Sequence, residues 1–218
     1  MKDVIIFGNT QFSELLYYYL EKDPRYCVRG FTIHEKFIEE KQFKNRVIPF
    51  EKLECYYPKE DIQILVSIGY TKMNENRKNI CEMLKCKGYQ LAEYRSLDAI
   101  IETEEIGEGN IILEGTIIQP FVKLGNFNII WSGCNVSHHS VIEDYCFLAP
   151  SVSIAGNVRI ENNCFLGNHA TIRNRVSIGH HALIGASAYV DECIGDFAVF
   201  VPEKSRTLEK NSLEIRLR

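Results

Sequence analysis

The sequence predicts two domains of different class, a small α/β domain over residues 1–98 and an all-β domain over 99–218 built as a parallel β-helix. Two observations carry this. From Ile106 to Val190 every sixth residue is Ile, Leu or Val, fifteen positions in a row, and the residue four places after each is mostly small, as at Cys134, Ser140, Cys146, Cys164 and Ala170. A helix needs a period of about 3.6 and a hairpin stack needs turn clusters, whereas a six-residue repeat belongs to a parallel β-helix in which each short strand buries one large and one small side chain. Before residue 98 the grammar differs: apolar strand-like runs alternate with amphipathic segments, the pattern of a parallel α/β sheet.

In order along the chain, "DVIIFG" (3–8) reads as a buried strand, "SELLYYYLEKD" (13–23) as a helix, and "YCVRGFTI" (26–33) and "IQILVSIG" (62–69) as further strands. "NENRKNICEMLKCKGY" (74–89) reads as a helix running into "QLAEYRS" (90–96). In such sheets the ligand-facing loops leave the strand carboxyl ends. The turn Gly8-Asn9-Thr10 stands where phosphate meets a helix amino terminus, and the same residues also suit a plain turn and helix cap. Only Gly8 of a G-x-G-x-x-G pattern is present, which argues against NAD or FAD. The boundary between the domains falls near Ser96 to Glu105.

Composition argues against some classes of partner. A net charge of −4 and a pI near 5.9 leave no basic footprint for nucleic acid. The eight cysteines form no Cys-x-x-Cys pair, so reduced thiols fit. Cys134, Cys146 and Cys164 occupy inward hexad positions, where packing rather than reactivity is expected. "MKDVIIFG" enters a strand without a signal-like segment, and no apolar run reaches the roughly 18 residues of a membrane helix. A soluble cytoplasmic protein, with neither nucleic acid nor membrane as partner, is the expectation.

The repeat, with its histidine-bearing stretch "SHHSVIEDYCFLAPSVSIAGNV" (137–158), resembles that of the hexapeptide-repeat acyltransferases. Read with "VSIGYTKMNENRKNI" (66–80) and the order of the two halves, the chain resembles the bacterial sugar acetyltransferases of the PglD/NeuD-like family over nearly its whole length. The resemblance implies a Rossmann-like amino-terminal domain and a left-handed β-helix of triangular section with three hexads per coil. It also implies acetyl-CoA as co-substrate, N-acetylation of a nucleotide-linked amino sugar in bacterial surface glycan biosynthesis, and a homotrimer with active sites between subunits. Carried over by position, it makes His138 the catalytic histidine and puts Gly156, Asn168 and Ala186 at the coenzyme. It puts Gly8, Asn9, Thr10, Gly69, Tyr70, Asn74 and Arg77 at the nucleotide-linked acceptor, although Tyr70, Asn74 and Arg77 equally suit a helix surface. His139 stands where the family has an acidic residue and is counted with His138 in the catalytic pair; Phe147 stands where it has a second histidine beside the coenzyme. The tail "VFVPEKSRTLEKNSLEIRLR" (199–218) lacks the family's Gly-x-Pro-Ala end.

With three hexads per coil, residues 18 apart stack, so His138 lies beneath Gly156 and then Asn174, and the missing side chain leaves a notch beside the imidazole. Acyl transfer from a thioester needs a base for the attacking amine or hydroxyl and an acid for the departing thiolate. An imidazole, with an ordinary pKa of about 6.5, serves both near pH 7. A backbone N–H at Gly156 is the candidate donor to the developing oxyanion. His139, His169, His180 and His181 fall on the third or fourth position of a hexad, where side chains point outward at corners, so a surface role is the plain expectation for each. Three other readings stay open: transfer to a sugar hydroxyl, a metal held between subunits by outward histidines as in the gamma-class carbonic anhydrases, and a binding protein that kept the solenoid without its chemistry. Against the metal, the adjacent His138 and His139 are expected to point apart.

Overall fold

The structure, a computed structural model, describes residues 2–38, 47–205, 207 and 209. Residues 210–218 of the expected carboxyl-terminal tail thus lie outside the described residues. The amino-terminal sheet is parallel: β1 (Lys2–Phe7), β2 (Tyr26–Ile33), β3 (Val47–Pro49), β4 (Gln63–Val66) and β5 (Gln90–Leu91), in the order β3-β2-β1-β4-β5. Helices α1 (Gln11–Lys22) and α2 (Glu75–Cys86) join them. The run "VIIF" is apolar at every position because β1 is covered on both faces: Val4 and Ile6 pack with Leu16 and Leu20 of α1, and Ile5 and Phe7 with Cys81 and Leu84 of α2. The strand order reverses between β1 and β4, which opens a crevice at their carboxyl ends. β3 and the 3-10 segment Phe50–Cys55 have no counterpart in the sequence reading, since three residues of strand ending in proline are too few to show a period.

The second domain is a stack of 18-residue coils, in which each two-residue strand pairs in parallel with the strand above: Asn135-Val136 with Ser153-Ile154, and that with Thr171-Ile172. Three flat faces result. The first runs from Tyr94-Arg95 to Val199-Phe200 and includes Ile111-Ile112, Ile129-Ile130, Phe147-Leu148, Phe165-Leu166 and Leu183-Ile184. The second runs from Ile100-Ile101 to Tyr189-Val190, and the third from Lys123-Leu124 to Ser177-Ile178. Coil pairing begins at Tyr94, ahead of the 98/99 boundary expected from the sequence. From Ile112 to Val190 each repeating aliphatic is the inward, buried residue of its strand, and no insertion breaks the phase.

The corners explain how such short strands turn. From Gly109 to Ser187 every sixth residue has a positive φ, and only Gly109, Gly115 and Gly133 among these are glycine. The others, His139 (φ 58°), His169 and His181 included, hold the left-handed conformation as L-residues. That state costs roughly 1–2 kcal/mol per residue, and the inter-coil bonds offset it. At most corners one such bond runs from the N–H of the corner residue to the coil below, as from His169 to the Pro150 carbonyl at 3.1 Å and from Asn157 to the His138 carbonyl at 3.1 Å. Buried polar side chains add a second ladder, since Asn110 Oδ1 accepts from Asn128 N (2.9 Å) and Asn128 Oδ1 from Cys146 N (2.7 Å). Cys134, Cys146 and Cys164 are buried packing residues, and burial pushes the Cys134 thiol up to about 11.

Ile154→Asp places an unpaired charge at a site with no solvent exposure. Such burial costs several kcal/mol, comparable with the whole stability of a domain. The variant is expected to lose cooperative thermal unfolding by circular dichroism, whereas Ser153→Asp, on the outward side of the same strand, is expected to keep it.

Candidate active site

The crevice at the strand ends is a cavity of about 510 Å³. Phe7 and Thr10 line it from β1 and α1, His34, Lys36 and Phe37 from the end of β2, Ser67, Gly69 and Thr71 from the segment after β4, and Asn76 and Asn79 from α2. The turn at its rim is fixed by close packing: a Cβ at Gly8 (φ 146°) would sit 2.2 Å from Ser67 Oγ and 2.7 Å from Ser13 Oγ, and these two hydroxyls lie 2.7 Å apart. Thr10 caps α1, with its N–H donating to Ser13 Oγ (3.1 Å). Asn9 Nδ2 donates to the Phe37 carbonyl (3.0 Å) and ties the turn to the segment after β2. His34 Nδ1 lies 2.7 Å from Glu51 Oε1, and this contact chiefly, helped by the N–H of Glu35, brings the Glu51 carboxyl down to about 2. His34, Lys36 and Phe37 were not singled out from the sequence; they follow the carboxyl end of β2, so the rule that selected Gly8 to Thr10 applies to them as well.

Of the residues expected at the acceptor, Thr10 and Gly69 line this cavity. Asn74 and Arg77 do something else. Lys72, Met73 and Asn74 hold three successive left-handed conformations (φ 52°, 50° and 66°) and deliver α2 onto the coils. Asn74 Nδ2 donates to the carbonyls of Asn163 (3.2 Å) and Cys164 (3.1 Å), while its Oδ1 accepts from Arg77 Nη1 (3.2 Å). Arg77 Nη2 donates to the carbonyls of Tyr145 (2.9 Å) and Cys146 (3.1 Å). Both side chains are buried, and desolvation lowers the guanidinium only to about 10, so it stays charged at neutral pH. Buried, and with Asn74 Nδ2 and Arg77 Nη2 committed to coil carbonyls, they clamp the two domains together instead of lining the cavity where the acceptor was expected. Tyr70 leans on the first face, its ring 5.0 Å from that of Phe147 and 4.8 Å from that of Phe165. Phe147 itself is buried between the domains with Ile111 and Ile129.

His138 stands at the corner between the second and third faces and is exposed. Its ring lies against Gly156 of the coil above, where a Cβ would come within 2.7 Å of Cε1 and 3.0 Å of Nε2. The His138 N–H donates to Gln119 Oε1 (3.0 Å), and its carbonyl accepts from Asn157 N (3.1 Å). The rings of His138 and His139 do not point apart: their Nδ1 atoms are 3.1 Å from each other, with ring planes at 85°. The left-handed backbone at His139 turns its side chain back toward its neighbour. Phe121, in the coil below, packs 4.8 Å from the His139 ring. Asn168 and Ala186, 18 residues apart, share a different corner, between the first and second faces, so one chain does not bring them to His138.

A second pair repeats the geometry. His180 and His181 place their Nδ1 atoms 3.0 Å apart with planes at 84°. There the outer nitrogens are engaged, His180 Nε2 lying 3.0 Å from Asp196 Oδ2 and His181 Nε2 2.9 Å from Glu75 Oε1. His181 thereby pins the coil to the first turn of α2. Among the described residues, none is hydrogen-bonded to Nε2 of His138 or His139.

The repeats match the family model of the bacterial transferase hexapeptide (six repeats) over residues 139–174 and again over 157–192. Among solved structures the chain is similar to the acetyltransferase domain of PglB from Neisseria gonorrhoeae in complex with acetyl coenzyme A, at 18% identity and a TM-score of 0.80, covering 95% of this chain and 99% of that one. A variant of perosamine N-acetyltransferase from Caulobacter crescentus, in complex with CoA and GDP-perosamine, is similar at 20% identity and a TM-score of 0.80, with 93% and 94% covered. WeeI from Acinetobacter baumannii is similar at 21% identity and a TM-score of 0.82, with 95% and 100% covered. These likenesses establish the fold, a left-handed parallel β-helix behind an α/β domain. No curated protein matches the chain. No helix among the described residues is long and apolar enough to cross a membrane.

Arg77→Met leaves the carbonyls of Tyr145 and Cys146 without that donor. At about 1–3 kcal/mol for an unsatisfied buried group, a lower urea midpoint is expected. At Glu51 the folded pKa lies below its ordinary value, so its contact with His34 adds stability above about pH 4.5 and loses it as pH falls toward 2. An NMR titration of the Glu51 side chain checks this, and His34→Ala is expected to return it toward 4.5.

Proposed function

We propose that this chain is an acetyl-CoA-dependent acetyltransferase that N-acetylates a nucleotide-linked amino sugar in bacterial surface glycan biosynthesis. The observation that carries this reading is the His138 imidazole, exposed, without a partner at Nε2 and laid against Gly156. The PglB domain holding acetyl coenzyme A and the perosamine enzyme holding CoA and GDP-perosamine support the choice of donor and acceptor class.

In this reading the acceptor amine attacks the thioester carbonyl carbon and passes a proton to His138 Nε2. The new C–N bond forms, the C–S bond breaks, and the same proton goes to the departing thiolate, leaving amide and thiol. No covalent enzyme intermediate is needed. The Gly156 N–H is assigned to the oxyanion that develops in between. The cavity bounded by Thr10 and Gly69 holds the nucleotide portion, with its phosphates toward the amino terminus of α1.

A cytoplasmic homotrimer fits this arrangement. Gly156 beside His138, and Asn168 with Ala186, lie at different corners of one chain. If all three touch the coenzyme, the corner of one subunit must face the His138 corner of the next. Phe121, exposed beneath His139, and Tyr189, exposed on the second face, supply apolar surface for such a neighbour.

The reading is tested by thiol release from acetyl-CoA with a panel of nucleotide-linked amino sugars. His138→Ala is expected to lower turnover by roughly 10² to 10⁴, the usual contribution of general acid–base catalysis, with coenzyme affinity little changed. Full turnover in that variant with the true acceptor refutes the assignment. Gly156→Ala is expected to displace the imidazole and lower turnover while leaving the thermal midpoint close to that of the parent.

A further inference from the structure

We propose that His139 is the positioning residue for His138: its Nδ1 accepts the Nδ1–H of His138, which leaves the Nε2 lone pair of His138 as the base beside Gly156. This deepens the acetyltransferase reading and rests on it for its kinetic consequences, though the pairing itself is a statement about two rings.

The argument begins with the 3.1 Å separation of the two Nδ1 atoms. At that distance one nitrogen carries the proton and the other its lone pair. A neutral imidazole has a single N–H, so the bond fixes both tautomers together. If His138 donates, its Nε2 is bare and its Cε1–Nε2 edge faces the Gly156 notch. If His139 donates, His138 carries its proton at Nε2 and cannot take another there. Only the first arrangement makes a base of His138, and it also fits the protonated state. An imidazolium at His138 keeps donating from Nδ1 to the same acceptor, so the pair holds one added proton without rearranging. A second added proton would set two Nδ1–H groups against each other.

The backbone builds this arrangement. His139 occupies a left-handed corner, its ring rests on Phe121, and the His138 main chain is held by Gln119 below and Asn157 above. None of Gln119, Phe121, Gly156 and Asn157 ionises near neutral pH, so none of these four sets a charge against the pair. The His180–His181 pair shows that adjacent histidines at this corner position meet Nδ1 to Nδ1. There Asp196 and Glu75 hold the Nε2 atoms, so that pair is a pin and the open one is free to exchange a proton.

The test is imidazole ¹⁵N NMR on the labelled full chain near neutral pH, with the His138 signals assigned by their loss in His138→Gln. The expected result is an Nδ1–H tautomer for His138, replaced in His139→Ala by the Nε2–H form that a free imidazole favours, and restored in His139→Asp, whose side chain accepts the bond and tolerates the left-handed backbone. In kinetics, His139→Ala is expected to lose about 10-fold or more in kcat, short of the roughly 10² to 10⁴ lost with the base itself, with KM for acetyl-CoA unchanged and rescue by His139→Asp. An Nε2–H tautomer of His138 in the parent, or a tautomer indifferent to His139→Ala, overturns the proposal even if transfer is observed. The predicted tautomers in a chain that releases no thiol support the pairing and instead overturn the acetyltransferase reading.

Discussion

The constraint on which the rest of this molecule depends is that between Ile106 and Val190 each coil closes in 18 residues. Parallel pairing joins every strand to the one a coil away, as Phe147 to Phe165 and Arg159 to Ser177. A chemical feature at one position is therefore defined by what stands 18 residues before and after it. Asn110, Asn128 and Cys146 form one such column and carry a polar ladder through the interior. Phe147 and Phe165 form another and present stacked rings, 5.5 Å apart, to the amino-terminal domain. His138 and Gly156 form a third, in which the absent side chain of the upper residue makes room for the ring of the lower one.

The amino-terminal domain is not a separate body tethered to this stack. The buried clusters on both faces of its sheet run into the first face of the coils, through Ile111, Ile129 and Phe147 on one side and Phe127 and Tyr145 on the other. A coil domain cut free would expose these aromatic and aliphatic groups. The join is also polar. Arg77 and Asn74 reach coil carbonyls from a turn in which three consecutive L-residues are left-handed, a conformation that persists only where surrounding bonds hold it.

The coil phase was legible residue by residue because burial acts on every sixth side chain without exception from Ile112 to Val190, and so was the meeting of His138 with Gly156. The strands of the α/β sheet were legible wherever they were long; "YCVRGFTI" coincides with β2. Other features left no one-dimensional trace. Most left-handed corners carry ordinary residues such as Tyr145, Ser151 and Arg175, so no glycine or asparagine punctuation announces them. Asn74 and Arg77 sit in a polar helix that reads as surface until the coil carbonyls opposite are known. The facing rings of His138 and His139 were misjudged for the same reason: neighbours on an extended strand diverge, and only the left-handed backbone at His139 brings them together.

The two histidine pairs show how one backbone geometry is given two tasks. Both begin at the third position of a hexad, and both bring Nδ1 to Nδ1 at about the same distance, 3.1 Å and 3.0 Å. What differs is the coil above. Over His138 the 18-residue step continues and delivers Gly156, which adds no atoms and leaves the ring edge open. Over His180 the step shortens, since Ile178 pairs with Ile194, and the slip delivers Asp196 instead. Its carboxylate takes both the backbone N–H and the Nε2 of His180, and Phe197 stacks on His181 at 5.0 Å. A two-residue change in coil length thus separates a pair whose protons are committed to structure from one whose outer nitrogen faces a notch. The interior of the stack, where the period holds on both sides, is the place where such a notch is kept open by the fold itself.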